Sequence, residues 1–180
     1  MILHLVRHPR PRVAPDTCYG RLDLPVDELD AAVQRLAPLL PRTAPVWSSP
    51  LQRCRLLAER LDPRPRLDPR LMEMDFGAWE GRTWAAIGRT ALDAWAADIA
   101  DFAPPGGESA RQVQARALDF LDELQDSTAI IVTHGGVMRV LQAHWQHLPA
   151  QEWSALNFPY ASLLTVEFSG AGAIVRLENH

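Results

Sequence analysis

Apolar and polar positions fall in blocks along the chain, and the block lengths point to short strands followed by helices. A largely apolar run from Ile2 to Val6 stops abruptly at Arg7-His8-Pro9, the pattern of a buried strand ending in a polar loop. The stretch from Pro9 to Pro25, rich in Pro, Arg and Asp, reads as that loop. Leu29, Val33 and Leu36 recur at helical spacing until Pro38 and Pro41 end the helix. Val46-Trp47 is a short strand candidate. Beyond it Ser49 is an expected N-cap, Pro50 suits the first helical position and Gln52 completes a capping box. Leu51, Cys54, Ala58 and Leu61 mark one face of that helix. The Pro-broken run from Asp62 to Arg70 leads into a short extended piece near Leu71.

Trp84, Ile87, Ala91, Leu92, Trp95 and Ile99 predict a helix within the stretch from Arg82 to Phe102, broken by Pro104-Pro105-Gly106-Gly107. Ser109 with Gln112 is a second capping box, and Val113, Ala117, Phe120, Leu121 and Leu124 form the stripe of the helix it opens. Ala129 to Val132 is another buried strand, ending at Thr133-His134-Gly135-Gly136, and Val137, Val140, Leu141 and Trp145 continue as a helix. Leu163 to Phe168 and Ile174 to Leu177, joined by Ser169-Gly170-Ala171-Gly172, predict a closing hairpin. Strands alternating with helices imply a three-layer α/β/α sandwich around a mainly parallel sheet. The expected organisation is a single domain over residues 1–180, with no linker or repeat.

Composition narrows the function classes. A net charge of −4 argues against a nucleic-acid partner. No stretch approaches the length of about 20 apolar residues that spans a bilayer, and the N-terminal apolar run is too short for a signal peptide. Cys18 and Cys54 fit neither zinc spacing nor a disulfide framework, so a cytoplasmic protein with reduced thiols is expected. All 18 basic residues are Arg, the residue best shaped to hold phosphate oxygens.

The candidate chemistry sits at two strand ends. His8 follows the first strand and His134 a later one, and ligands of open α/β sheets bind beyond the carboxyl ends of strands. Arg7 places a fixed charge beside His8, and Arg53 lies in the first turn of the helix expected after Ser49. Gly135-Gly136 opens a further helix N-terminus whose backbone a ligand can approach closely. Each residue alone has an ordinary structural role open to it, as a strand end, a cap or a solvated charge. Together they describe a pocket for a dianion. His144 and His147, one turn apart, lack a third ligand and read as a solvated helix end, and His4 reads as a strand residue.

These residues resemble a known family. Leu5-Val6-Arg7-His8 is similar to the opening of the histidine phosphatase superfamily, which includes the cofactor-dependent phosphoglycerate mutases. Ser48-Ser49-Pro50-Leu51-Gln52-Arg53, the run from Leu71 to Gly81, Pro105-Gly106-Gly107-Glu108-Ser109, and the run from Val132 to Arg139 resemble its later blocks, in the family's order. The resemblance implies a phosphoglycerate mutase-like fold and metal-independent phosphoryl transfer without a cofactor. His8 would be the nucleophile, Arg7, Arg53 and His134 would hold the phosphoryl group, and Glu73 would be the proton donor, with Glu80 of the same block as its rival. Gly135 and Arg21 are further candidates for phosphate contact. One departure is Pro9, where the family commonly has Gly; it removes a backbone N–H.

The run Cys18-Tyr19-Gly20-Arg21-Leu22-Asp23-Leu24-Pro25 resembles, more narrowly, the α-ribazole phosphatases of cobalamin biosynthesis. That likeness implies a small-molecule phosphate ester as partner, with α-ribazole 5′-phosphate first. A phosphoglycerate mutase or broad sugar-phosphate phosphatase is the alternative, and a non-catalytic reader of phosphorylated proteins is a third. A helical insert at about 80–105 is expected to cover the pocket. The segment from Trp79 to Phe102 offers Trp79, Trp84, Trp95 and Phe102, against only Arg82 and Arg89 as bases, and suits an apolar or aromatic leaving group, although the helical stripe also suits Trp84 and Trp95 to a core. A homodimer is compatible with the chain.

Overall fold

The computed structural model describes residues 1–169 and 172–178. Strands β1 (Ile2–Arg7), β2 (Val46–Ser48), β3 (Arg66–Leu67), β4 (Thr128–Thr133), β5 (Leu163–Ser169) and β6 (Gly172–Glu178) form one sheet in the order β3-β2-β4-β1-β5-β6. The first four are parallel, and β5 and β6 add an antiparallel edge. Helices α1 (Leu29–Leu36) and α2 (Gln52–Leu61) cover one face, and α5 (Ala110–Glu123) and α6 (Gly135–Trp145) the other. Successive residues of a strand point to opposite faces. Ile130 and Val132 accordingly pack with Leu36, Leu57 and Ala58, while Ala129 and Ile131 pack with Val113, Phe120 and Leu141. This is a three-layer α/β/α fold with a mixed, mostly parallel sheet.

Three local expectations change. The capping box at Ser49 does not form; α2 starts at Gln52 with Leu51 at its cap, and Gln52 N donates to Asp23 Oδ1 at 2.6 Å. The Ser49 hydroxyl accepts from Leu51 N at 3.3 Å and also meets a more distant partner, His134. The helix expected from Arg82 is two, α3 (Trp84–Ile87) and α4 (Arg89–Ala97), because Gly88 between them takes φ 94°, a value no helix contains. The residues up to Leu71 form the short strand β3 and a 3₁₀ turn, Pro69–Leu71, rather than one extended piece. By contrast, the Ser109–Gln112 capping box forms in full. The hairpin of β5 and β6 is present, with residues 170 and 171 of its connection outside the described residues. Among the described residues no helix is long and apolar enough to cross a membrane.

Candidate active site

The sheet register brings the two histidines together. In the parallel pair of β1 and β4, Arg7 stands opposite Thr133, so the next residues, His8 and His134, leave the sheet side by side. His8 N donates to Thr133 O at 3.1 Å, and the imidazole centroids lie 5.0 Å apart at 60°. Both rings are almost wholly buried.

Their hydrogen bonds assign their nitrogens. His8 Nδ1 lies 2.7 Å from the carbonyl of Pro9. A carbonyl only accepts, so Nδ1 carries the hydrogen and Nε2 keeps a lone pair. Position 9 therefore acts through its C=O, and the missing N–H of proline leaves that contact intact. His134 Nε2 lies 2.8 Å from Ser49 Oγ and 3.3 Å from Cys54 Sγ. Burial, followed by the charge of Arg53, pushes the basicity of both rings well below the ordinary 6.5. For His8 the Pro9 carbonyl opposes this and Arg7 adds to it; for His134 the neighbouring His8 adds to it. Both are neutral imidazoles at neutral pH.

Two arginines flank them, Arg53 fully buried and Arg7 partly buried. The terminal nitrogens of Arg53 donate to the carbonyls of Leu22, at 2.7 Å, and Gly20. Arg7 donates to the carbonyl of Phe158, at the far end of the chain. The Nε of each is buried with no hydrogen-bond partner, and among the described residues neither guanidinium forms an ion pair. A buried charge without a counter-ion is costly. One such charge, with the partly buried Arg7 and a neutral imidazole beside it, makes a site suited to an oxyanion.

Glu73 belongs to this site and Glu80 does not. Glu73 Oε2 accepts from Gly136 N at 3.1 Å and Oε1 from Met74 N at 3.0 Å. A Cβ at position 136 would fall 2.2 Å from Glu73 Oε1, and one at 135 would fall 3.2 Å from the Arg7 guanidinium carbon. The glycine pair thus admits an acid and a base to the start of α6, in addition to leaving Gly135 on the cavity wall. The backbone before Glu73 is fixed by Thr133 Oγ1 donating to Leu71 O at 2.8 Å and by Arg116 donating to Arg70 O and Glu73 O. Glu80 instead accepts from the N–H groups of Gly20, Arg21, Leu22 and Phe76, and so ties the loop before α1 to the block that carries Glu73. Arg21 is turned to Glu108, at 3.1 Å, and Met72, and is not on the cavity wall; Glu108 also binds Arg116 and Asp75 N, a stronger competitor for the guanidinium than solvent.

A cavity of about 390 Å³ opens over His8. Arg7, Glu73, Tyr19 and Arg139 are among its polar lining residues, and Phe76, Trp84, Trp95, Ile99, Val113, Val140, Trp153 and Phe158 among its apolar ones. Helices α3 and α4 contribute Trp84 and Trp95, so these indoles face the cavity instead of being sunk in the core. Trp95 Nε1 is a buried donor with no partner. Three residues escaped the sequence reading: Ser49 as a partner of His134, Arg139 as a second cation of the cavity wall, and Tyr160 against Arg7. Arg139 had a signal, lying one helical turn beyond Gly135 and Gly136. Tyr160 had none, since its partners are far away in sequence. His4 is a strand residue 3.3 Å from Thr165 Oγ1. Among the described residues no cluster of three His, Cys, Asp or Glu side chains is arranged to hold a metal ion, His144 and His147 included.

A model of the histidine phosphatase superfamily (branch 1) matches residues 3–180. The glucosyl-3-phosphoglycerate phosphatase of Mycobacterium tuberculosis is 34% identical over 160 residues, covering 77% of this chain and 71% of that protein. The solved structure of mycobacterial glucosyl-3-phosphoglycerate phosphatase complexed with VO3 has a TM-score of 0.82 at 27% identity, covering 99% of this chain and 98% of that one. A structure from Thermus thermophilus has a TM-score of 0.80 at 34% identity, covering 99% and 100%.

Proposed function

Because the chain belongs to the histidine phosphatase superfamily, branch 1, and is a phosphatase of that kind, we propose that it hydrolyses small-molecule phosphomonoesters by passing the phosphoryl group through Nε2 of His8. The observation that carries this reading is the His8 lone pair, fixed by the Pro9 carbonyl, beside the fully buried Arg53 and the partly buried Arg7, whose Nε atoms have no hydrogen-bond partner. Nε2 attacks phosphorus, the Nε2–P bond forms and the ester P–O bond breaks, and Glu73 delivers its proton to the departing alcohol. Water then attacks phosphorus, Glu73 takes a proton from it, the Nε2–P bond breaks, and inorganic phosphate leaves. Arg7, Arg53 and His134 bind the phosphoryl oxygens while charge spreads over them. The arginines thereby supply the positive charge that metal ions supply in other phosphoryl transferases.

The aromatic cavity supports an alcohol with a flat apolar part, and α-ribazole 5′-phosphate, a step of cobalamin biosynthesis, is the first substrate to assay. Its benzimidazole offers apolar faces to Phe76, Trp84 and Trp95, and an acceptor for the unpartnered Trp95 Nε1. A second reading is an acidic sugar-phosphate ester. It rests on the 34% identity to glucosyl-3-phosphoglycerate phosphatase and on Arg139, which lines the cavity with its Nε on Leu156 O.

The test is phosphate release in excess chelator from p-nitrophenyl phosphate, α-ribazole 5′-phosphate, glucosyl-3-phosphoglycerate and 3-phosphoglycerate. The expected result is chelator-resistant release of free phosphate, with the highest kcat/KM for α-ribazole 5′-phosphate. A preference for glucosyl-3-phosphoglycerate selects the second reading. Isomer exchange of 3-phosphoglycerate without phosphate release contradicts both.

A further inference from the structure

Two tyrosines beside the nucleophile take no part in these bond changes. The ring of Tyr160 lies under Arg7, with the guanidinium carbon 4.0 Å from its centroid, and 5.7 Å from the His8 ring. Its hydroxyl is 2.7 Å from that of Tyr19, a cavity residue on the loop between β1 and α1. The Tyr19 ring in turn lies 5.5 Å from the guanidinium carbon of Arg53. The same loop supplies the Gly20 and Leu22 carbonyls that hold Arg53. One hydroxyl–hydroxyl contact, spanning 141 residues of sequence, therefore joins the surroundings of both phosphate-binding arginines.

The turn that carries Tyr160 is itself held. Ala161 takes φ 54°, unusual for a residue with a side chain, while its N–H donates to His8 O at 3.1 Å. Arg35 donates to the carbonyls of Tyr160 and Ala161. The backbone thus accepts a strained conformation at the point that sets the tyrosine.

An aromatic face suits this task for an electrostatic reason. A carboxylate would orient Arg7 more strongly, but would neutralise it and compete with the substrate's phosphate. A ring orients a flat cation through its quadrupole and leaves the formal charge available. We propose that Tyr160 is a positioning residue for phosphoryl transfer: an uncharged brace whose ring fixes Arg7, with the hydroxyl contact to Tyr19 a lesser tie to the loop that holds Arg53. This rests on the reading of His8 as nucleophile and of the two arginines as phosphate ligands.

The test is steady-state hydrolysis of p-nitrophenyl phosphate by the full-length protein, comparing Tyr160→Phe, Tyr160→Leu and Tyr160→Met, with His8→Ala as control. Tyr160→Phe keeps the ring and is expected to hold kcat within about 5-fold of the parent. Tyr160→Leu loses the ring, and kcat is expected to fall about 30-fold or more while KM stays within about 3-fold, because misplacing a transition-state ligand acts on the chemical step. Near-ultraviolet circular dichroism checks folding, and Tyr160→Met replaces Tyr160→Leu if the latter does not fold. In an Arg7→Gln background the Leu substitution is expected to add less than about 3-fold, since its effect passes through Arg7. Equal losses in Tyr160→Phe and Tyr160→Leu, a Leu variant with nearly parental kcat, or additive losses with Arg7→Gln each overturn the brace. An inactive His8→Ala beside such a result leaves the nucleophile standing; an active His8→Ala overturns both.

Discussion

The floor of the site and its aromatic wall are built on different principles. The floor is backbone-anchored: His8, Ser49, Arg53, Thr133 and His134 are each 0–1% exposed, and the strand register of β1 and β4 fixes the histidines. The wall leans more on side chains, with backbone ties at its ends such as Trp84 N donating to Asp16 O at 2.9 Å and Arg111 N to Ala100 O at 2.9 Å. Helices α3 and α4 bury no residue, and α4's ion pair, Arg89–Asp93, is exposed and worth about 0–1 kcal/mol. What orders this wall is ring packing: Trp84 and Trp95 lie parallel at 6.0 Å, and Phe76 meets each edge-on. Trp79, buried, links Trp95 to Phe102. A floor of this kind holds the chemistry constant, while the wall can be exchanged to suit another alcohol.

The largest expected effect breaks the floor. His8→Ala should lower kcat for p-nitrophenyl phosphate by about 10⁴-fold or more. Next, Glu73→Gln should lower kcat by about 10²- to 10³-fold for poor leaving groups, and much less for p-nitrophenol, which needs little protonation. Glu80→Gln provides the contrast. It turns one of the two oxygens that accept from four backbone N–H groups into a donor, so stability should fall by about 1–3 kcal/mol and the melting temperature with it, with kcat changed far less than in Glu73→Gln. An equal kcat loss in Glu80→Gln would return it to the role of acid.

Trp95→Ala tests the wall. It should raise KM for α-ribazole 5′-phosphate by about 10-fold, the worth of one aromatic contact and a donor, while sparing small alkyl phosphates. A loss shared by all substrates would mean that the wall supports the floor rather than the alcohol.

The smallest effect concerns pH. The folded protein keeps His8 and His134 neutral below the pH at which an unfolded chain binds protons, near 6.5. The unfolded state then holds more protons, so stability rises with pH up to about 6.5 and levels off above it. The ligand-free melting temperature should accordingly drop between pH 7 and pH 5, and His134→Gln should lessen the drop. A melting temperature that rises on acidification contradicts the neutral pair.

Much of the floor was legible because its signals are local: an apolar run that ends at a histidine, twice, and blocks in a family's order. The parallel register did the rest by aligning Arg7 with Thr133. What the sequence hid depends on distant partners. Ser49 satisfies a local capping rule, yet its hydroxyl serves His134, 85 residues away. Arg21 sits in the run that resembles the α-ribazole phosphatases and is a candidate for phosphate contact, but Glu108 claims it. The wall's periodicity was read as one helix, since a single glycine is tolerated within a helical stripe and Gly88 reveals itself only by its φ of 94°.

The central claim is tested most directly by trapping the enzyme-bound phosphoryl group. Mixing the protein with p-nitrophenyl phosphate, quenching in alkali within the first turnover and sequencing peptides by mass spectrometry should find phosphate on His8. It should be absent from His134 and from the His8→Ala protein. Phosphate on His134, or rapid turnover of the unmodified protein with no phosphohistidine formed, would contradict the account.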